Sequence, residues 1–314
     1  MTDVAGLAMP FFGLIALGFL CGKLVKGPEE GLAWFNVYIL YVAVPALYFA
    51  LISRTPFEQL ANVGFVAATT AATFSAFAIA VGIGLFASKG DLRQATIQGL
   101  AGGYANVGYM GPGLTLAALG PAAAAPTALI FVFDCMLLFT LTPLLMSIAD
   151  PRREGVASTA LLIVRRIALH PFNIATLAGG LAAYFHWSPP GPVAKLVELL
   201  SVSAAPSALF VMGVTVALRP LKRVPPEMPA LLCVKLLLHP LFAWSALTVI
   251  GGFDPLWVAT ATLMASLPPA LNVFVMASQY GVYVERASSV ILVGTIASFV
   301  TVTALLAVIV GGPR

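Results

Sequence analysis

Two stretches of this chain put backbone-breaking and amide-bearing residues where a long apolar helix should run on. Residues 92–119 contain GGYANVGYMGPG, and residues 255–281 contain SLPPALNVF. In the first, Asn106 and Pro112 lie among Gly102, Gly103, Gly108, Gly111 and Gly113. In the second, Pro268 and Pro269 precede Asn272 by about a turn. Proline cannot donate a backbone hydrogen bond, and glycine costs helix propensity. A residue before a proline is pushed to extended geometry. Each stretch is therefore expected to divide into two half-helices. Hydrocarbon tolerates irregular backbone only where it lines a protected cavity, and paired breaks in two chain halves point to a transporter's binding site.

If the breaks cross, two half-helix N-termini face one spot from opposite sides, each carrying roughly half a positive charge. That arrangement suits an anion without any arginine. The amides of Asn106 and Asn272 can donate to a carboxylate and accept from a hydroxyl or an indole N–H. Packing glycines and kinking prolines are the plain alternative, but the doubled cluster with asparagine favours a site. Pro45 and Pro206 either kink their helices or line the substrate path.

Asp134, in LIFVFDCMLLFTLTP, is the acid that falls well inside an apolar stretch. An intramembrane carboxylate is costly and is by default a functional candidate. Proton coupling is one use for it, and a structural hydrogen bond is the other. Lys235 and His239 share a helix face. Lys235 is expected near the cytoplasmic end, with its ammonium snorkelling to water. His239 is expected deeper, where it can pair with Asp134 or attract an anion. His170 reads as a cap or interface residue. Cys21, Cys135 and Cys233 are odd in number and far apart, so they support neither a disulfide framework nor a metal site. No cofactor motif is present.

These residues need elements to hold them. The chain of 314 residues is 60% hydrophobic and 9% charged, with mean hydropathy +1.00. A soluble domain carries about a quarter charged residues, so the reading is an all-α polytopic membrane protein held in a lipid bilayer. A spanning helix needs about 20 mostly apolar residues. Ten segments qualify: 7–24, 32–53, 62–87, 92–119, 122–149, 158–186, 190–218, 228–250, 255–281 and 287–311. Trp34, Trp187, Trp244 and Trp257 fall mostly near segment ends, as an aromatic belt would place them. Under alternating topology, thirteen of the sixteen Lys and Arg fall on one side, and only Arg54, Lys195 and Arg314 on the other. The positive-inside rule then puts both termini on the non-cytoplasmic side. The net charge of +4 is spread over short loops and is no nucleic-acid footprint.

The halves echo each other. PFFGLIALGFL from Pro10 aligns with PFNIATLAGGL from Pro171, and Pro45 aligns with Pro206, both at an offset of 161. Asn106-Val107 aligns with Asn272-Val273 at 166. Five segments per half make an inverted-topology repeat. The first repeat spans residues 1–149, a short cytoplasmic linker 150–157, and the second repeat 158–314.

VPALYFALIS, GGYANVGYMGPGLTLAALG and SLPPALNVFVMASQYG together resemble the auxin efflux carrier family, the plant PIN-formed exporters and their bacterial relatives. The resemblance covers essentially the whole chain. It implies ten transmembrane helices in two inverted repeats, with broken helices 4 and 9 crossing at the substrate site. It implies a scaffold of helices 1, 2, 6 and 7, a transport domain of helices 3–5 and 8–10, and a homodimer through the scaffold. Carried over by position, Asn106, Pro112, Pro268 and Asn272 are the crossover residues. The long cytoplasmic loop of many plant exporters is replaced here by the short linker. The core also resembles that of sodium–bile acid symporters, but acidic sodium ligands near the crossing are absent.

The functional expectation is a carrier, secondary active or facilitative, for a small organic anion such as a dicarboxylate or an indole acid. It works by elevator-type alternating access in the plasma membrane, the inner membrane of a bacterium. Substrate contacts are expected from Asn106, Gly108, Pro112, Pro268, Pro269, Asn272, Pro45 and Pro206, with Asp134 and His239 as proton-coupling candidates. The alternatives are a passive anion channel and a proton- or sodium-coupled symporter of bile-acid-like anions. No HExxH, GxGD, GxSxG or P-loop motif is present, which argues against an enzyme or an ATP-driven pump.

Overall fold

The computed structural model describes residues 4–149, 168–169, 171–218 and 224–311. The linker 150–157, the beginning of the expected sixth segment, His170 and several of the counted cations (Arg152, Arg153, Arg165, Arg166, Arg219, Lys222, Arg223 and Arg314) lie outside the described residues.

The described chain is helical. In order it forms α1 (Val4–Val25), α2 (Glu30–Ser53), α3 (Val63–Ala87), α4 (Leu92–Gly103), α5 (Gly111–Leu119), α6 (Ala124–Ala149) and α7 (Pro171–Tyr184). Then follow α8 (Gly191–Leu218), α9 (Met228–Ile250), α10 (Pro255–Ser266), α11 (Asn272–Tyr280) and α12 (Val284–Gly311). Among the described residues, seven helical stretches are long and apolar enough to cross a membrane. They correspond to α1, α2, α3, α6, α8, α9 and α12. The short helices α4, α5, α10 and α11 fill the two stretches that carry the breaks.

Two of the long helices absorb a proline in the same way. A π-helical turn at Ile39–Ala43 precedes Pro45 in α2, and another at Val234–Leu238 precedes Pro240 in α9. Proline removes a donor and crowds the preceding turn. Widening that turn passes each carbonyl to a donor one residue further on: Val44 N–H reaches Ile39 O, and His239 N–H reaches Val234 O. Such turns rotate every later side chain relative to a regular helix.

The helices pack as two groups. In one, α1 lies along α8, and α2 packs on α7 and α8. In the other, α3 packs on α4, α6 and α9, α9 on α10, and α12 on α10 and α11. Contacts of α1 with α5 and α12, and of α2 with α6, join the groups. The α1–α8 seam is backbone on backbone. A Cβ built at Gly213 would lie 2.0 Å from the Ile15 carbonyl oxygen, and one at Gly18 would lie 2.0 Å from that of Phe210. Gly179, at the position matching Gly18 by sequence offset, brings α7 within 3.2 Å of the Phe49 carbonyl oxygen of α2 by the same measure.

Gly213→Val should therefore push α1 off α8. We expect the detergent-solubilised variant to lose about 1–3 kcal/mol or more of stability, read as a lower melting temperature. An unchanged melting temperature would mean that the seam is not tight.

Candidate functional site

The two breaks meet. Gly102 and Gly103 end α4, and Tyr104 takes an extended backbone. Leu267, before the two prolines, does the same at the end of α10. The two irregular segments then pair as a minimal antiparallel bridge between Ala105 and Pro269. Asn106 N–H donates to the Pro268 carbonyl at 2.9 Å, and Ala270 N–H donates to the Tyr104 carbonyl at 3.1 Å. Each break thus supplies the partner that the other has lost, which is what apolar surroundings demand. Pro268 and Pro269 can serve only as acceptors, and Pro268 is used in that role. The Asn106 carbonyl accepts from both Met110 and Gly111 N–H at 3.2 Å, which turns the chain into α5.

Side chains close around the bridge. Asn106 is 1% exposed, and its amide donates to the Met212 sulfur of α8 at 3.4 Å. A thioether is a weak acceptor, so this donor can be yielded to a stronger one. Asn272 is half-buried and donates to the Tyr104 hydroxyl at 3.3 Å. From α2, the Tyr48 hydroxyl donates to the Val107 carbonyl at 3.1 Å. The Tyr48 ring stacks on Phe131 of α6 with centroids 3.8 Å apart, and Phe172 of α7 packs edge-on to Phe131. Gly108 faces the Phe131 ring, where an added Cβ would lie 3.1 Å away. Pro112, Pro268 and Pro269 are buried, Pro45 is half-buried, and Pro206 is exposed on α8.

A buried polar network lies beside the crossing. Thr73 of α3 donates to the Asp134 carboxylate at 2.8 Å, and its hydroxyl oxygen lies 3.1 Å from His239 Nε2. The Lys235 ammonium stands 3.1 Å from His239 Nδ1 and donates to the Ala265 carbonyl at 2.6 Å. All four residues are buried, Lys235 completely. Ala265 belongs to the last turn of α10, where unpaired carbonyls and the helix dipole favour a cation. The expected snorkelling of Lys235 is therefore wrong. Its ammonium turns inward onto a broken helix end, and Lys235 leaves the tally of loop cations. His239 meets Asp134 through the shared Thr73 hydroxyl. Cys135, next to Asp134, lies 3.3 Å from the Tyr104 hydroxyl, which links the network to Asn272.

The far ends of the crossing half-helices are also tied down. Asp91 caps α4 by accepting from Arg93 and Gln94 N–H at 2.9 and 3.1 Å. Partial burial works against its carboxylate, but the bonds from Gln94 and Arg93 outweigh this and hold it below the usual range. Arg93 donates to the Tyr280 carbonyl at the end of α11. Buried Glu227 accepts from Gln98 of α4 at 2.9 Å and from Tyr283 at 2.6 Å. Burial, then the bond to Glu227, raises the Tyr283 phenol well above its ordinary range.

The sequence reading singles out the breaks and their asparagines, Asp134 and His239, and the structure brings the breaks together, with Asp134 and His239 in the network beside them. That reading misses Tyr48, Tyr104, Phe131 and Met212, which look like ordinary membrane residues until they are folded together. Thr73 carried no signal either, since hydroxyls on spanning helices usually bond their own backbone.

A family model described as "Membrane transport protein" matches residues 4–306. A Rhizobium meliloti (strain 1021) protein named "Putative malonate transporter" is 50% identical over 312 residues, covering 99% of this chain and 98% of its own. An "Uncharacterized transporter" of Methanothermobacter thermautotrophicus is 26% identical over 92% of both chains. The "Uncharacterized transporter YfdV" of Escherichia coli (strain K12) is 22% identical over 96% of both. With the family model matching nearly the whole chain and a relative at half identity end to end, the chain belongs to the membrane transport protein family that includes the auxin efflux carriers, and it is a membrane transporter and not an enzyme.

Proposed function

We propose that this transporter carries a small carboxylate, with a dicarboxylate of malonate size as the first candidate, and that the substrate binds at the crossing of the two breaks. The observation that carries this reading is the buried bridge between residues 104–106 and 268–270, with Asn106 and Asn272 beside it. The half-helices α5 and α11 begin next to that bridge. Their N-terminal amides offer partial positive charge to an anion. The Asn106 amide can exchange its thioether partner for a carboxylate oxygen. The name of the half-identical relative points to the same substrate class.

Ten transmembrane helices in two inverted repeats account for the packing. In that reading α4 and α5 form the fourth spanning unit, and α10 and α11 the ninth. The pairing of α1 with α8 and of α2 with α7 is what a two-fold exchange of repeats requires. Those four helices form the scaffold, which pairs two copies into a homodimer. The rest form the transport domain, which slides against it as an elevator. Tyr48 and Met212 then touch the crossing from the scaffold side, so sliding exchanges their contacts. Both termini face the non-cytoplasmic side of the plasma membrane, the inner membrane of a bacterium. Asp134 and His239 serve proton coupling, with Thr73 between them and Lys235 as the fixed charge that balances the carboxylate.

Purified protein in liposomes should accumulate radiolabelled malonate when loaded with unlabelled malonate, whereas protein-free liposomes should not. Asn272→Ala should raise KM about tenfold, as loss of one hydrogen bond to a charged group implies. Failure to move any mono- or dicarboxylate would overturn the anion reading. Asp134→Asn should flatten the dependence of malonate uptake on pH between about 5 and 8. Uptake by that variant with an unaltered pH profile would remove Asp134 from the coupling step.

A further inference from the structure

A cation free of ion pairs among the described residues stands in a cavity at one mouth of the molecule. A cavity of about 730 Å³ opens between the two helix groups, at the end of the bundle assigned above to the non-cytoplasmic side. Its walls come from the end of α2 and the turn after it, from the α5–α6 connection, from Ser201 of α8, and from the start of α10. Leu47 forms part of the α2 wall and is next in sequence to Tyr48, which bonds the crossing backbone. The α2 wall of the cavity thus belongs to the helix that also touches the candidate substrate site.

Charges in it are few. By sequence this side of the molecule carries three cations, Arg54, Lys195 and Arg314. Lys195 is paired with Glu198 at 3.1 Å, and Arg314 lies outside the described residues. Arg54 lines the cavity, is exposed, and has no ion pair among the described residues. The acid that faces the same space is Asp254. It is engaged as the N-cap of α10, accepting from Leu256 N–H at 2.7 Å, where the helix dipole offsets part of its charge. Thr55, Gln59 and Ser201 add neutral polar groups. A dicarboxylate fills a small part of this volume, so contact there is hydrated and transient.

We propose that Arg54 gathers dicarboxylate anions into this mouth before they reach the crossing. The proposal rests on the carboxylate reading above. Arg54 speeds the entry of an anion approaching from outside and makes no contact in the bound state. With translocation faster than release, slower entry raises KM and leaves the maximal rate unchanged, and the effect fades with salt and acts from one side only.

The test is malonate uptake by intact cells, which present the non-cytoplasmic face, set beside uptake by inverted membrane vesicles. Arg54→Gln should raise KM about fivefold in cells at low ionic strength, with maximal rate unchanged. Arg54→Lys should stay near wild type. The difference should vanish at about 0.5 M salt, and inverted vesicles should show none at any salt. Wild type that moves malonate while Arg54→Gln matches it in KM at low salt would overturn this inference and leave the carboxylate reading standing. A loss of maximal rate shared by Arg54→Gln and Arg54→Lys would make the residue structural and also overturn it. Wild type that moves no carboxylate would overturn both.

Discussion

An unpaired peptide group in hydrocarbon costs several kcal/mol, and this fold opens two such gaps in the middle of its bundle. The gaps close each other. Asn106 N–H is satisfied by the Pro268 carbonyl and Ala270 N–H by the Tyr104 carbonyl. Neither break is tolerable alone, so the bridge fixes where α4 and α10 end and where α5 and α11 begin. It also brings two asparagines, two tyrosines and four helix ends to one place without a buried arginine. The packing around it follows: small residues let neighbouring helices approach, and the π-helical turns before Pro45 and Pro240 absorb strain outside the crossing.

The same logic accounts for the buried ammonium. Lys235 is fully inaccessible, a costly position for a charge unless it is paired. Here the C-terminal turn of α10 supplies a carbonyl, and Asp134 supplies the opposing charge through Thr73 and His239. A helix broken in mid-membrane exposes carbonyls as well as N–H groups. One end of the break can hold a resident cation while the neighbouring N-terminal ends remain available to an anion. In the proposed reading, structural charge and substrate charge are thereby kept on different faces of the same discontinuity.

Much of this could be read from residue types. Gly102-Gly103, Pro112 and Pro268-Pro269 announce the breaks because glycine and proline act on the backbone locally, whatever surrounds them. Apolar run lengths give the seven long apolar helices among the described residues for the same reason. Lys235 departs from its expected place because the general tendency of a helix-borne ion to seek the nearest water is overridden here. Its direction depends on a carbonyl thirty residues away. Tyr48, Phe131 and Met212 carry no distinguishing signal in a chain that is 60% hydrophobic. Their role comes from three different helices converging, which local sequence does not encode.

The most direct test of the crossing as substrate site is a thermal-shift titration of detergent-purified protein with malonate, run on wild type and on Asn106→Ala. A ligand that binds only the folded state raises the melting temperature. Stabilisation of wild type, with the variant folded but needing at least about tenfold more malonate for the same shift, is the predicted result. Equal stabilisation of both proteins would contradict the account and move the site away from the bridge.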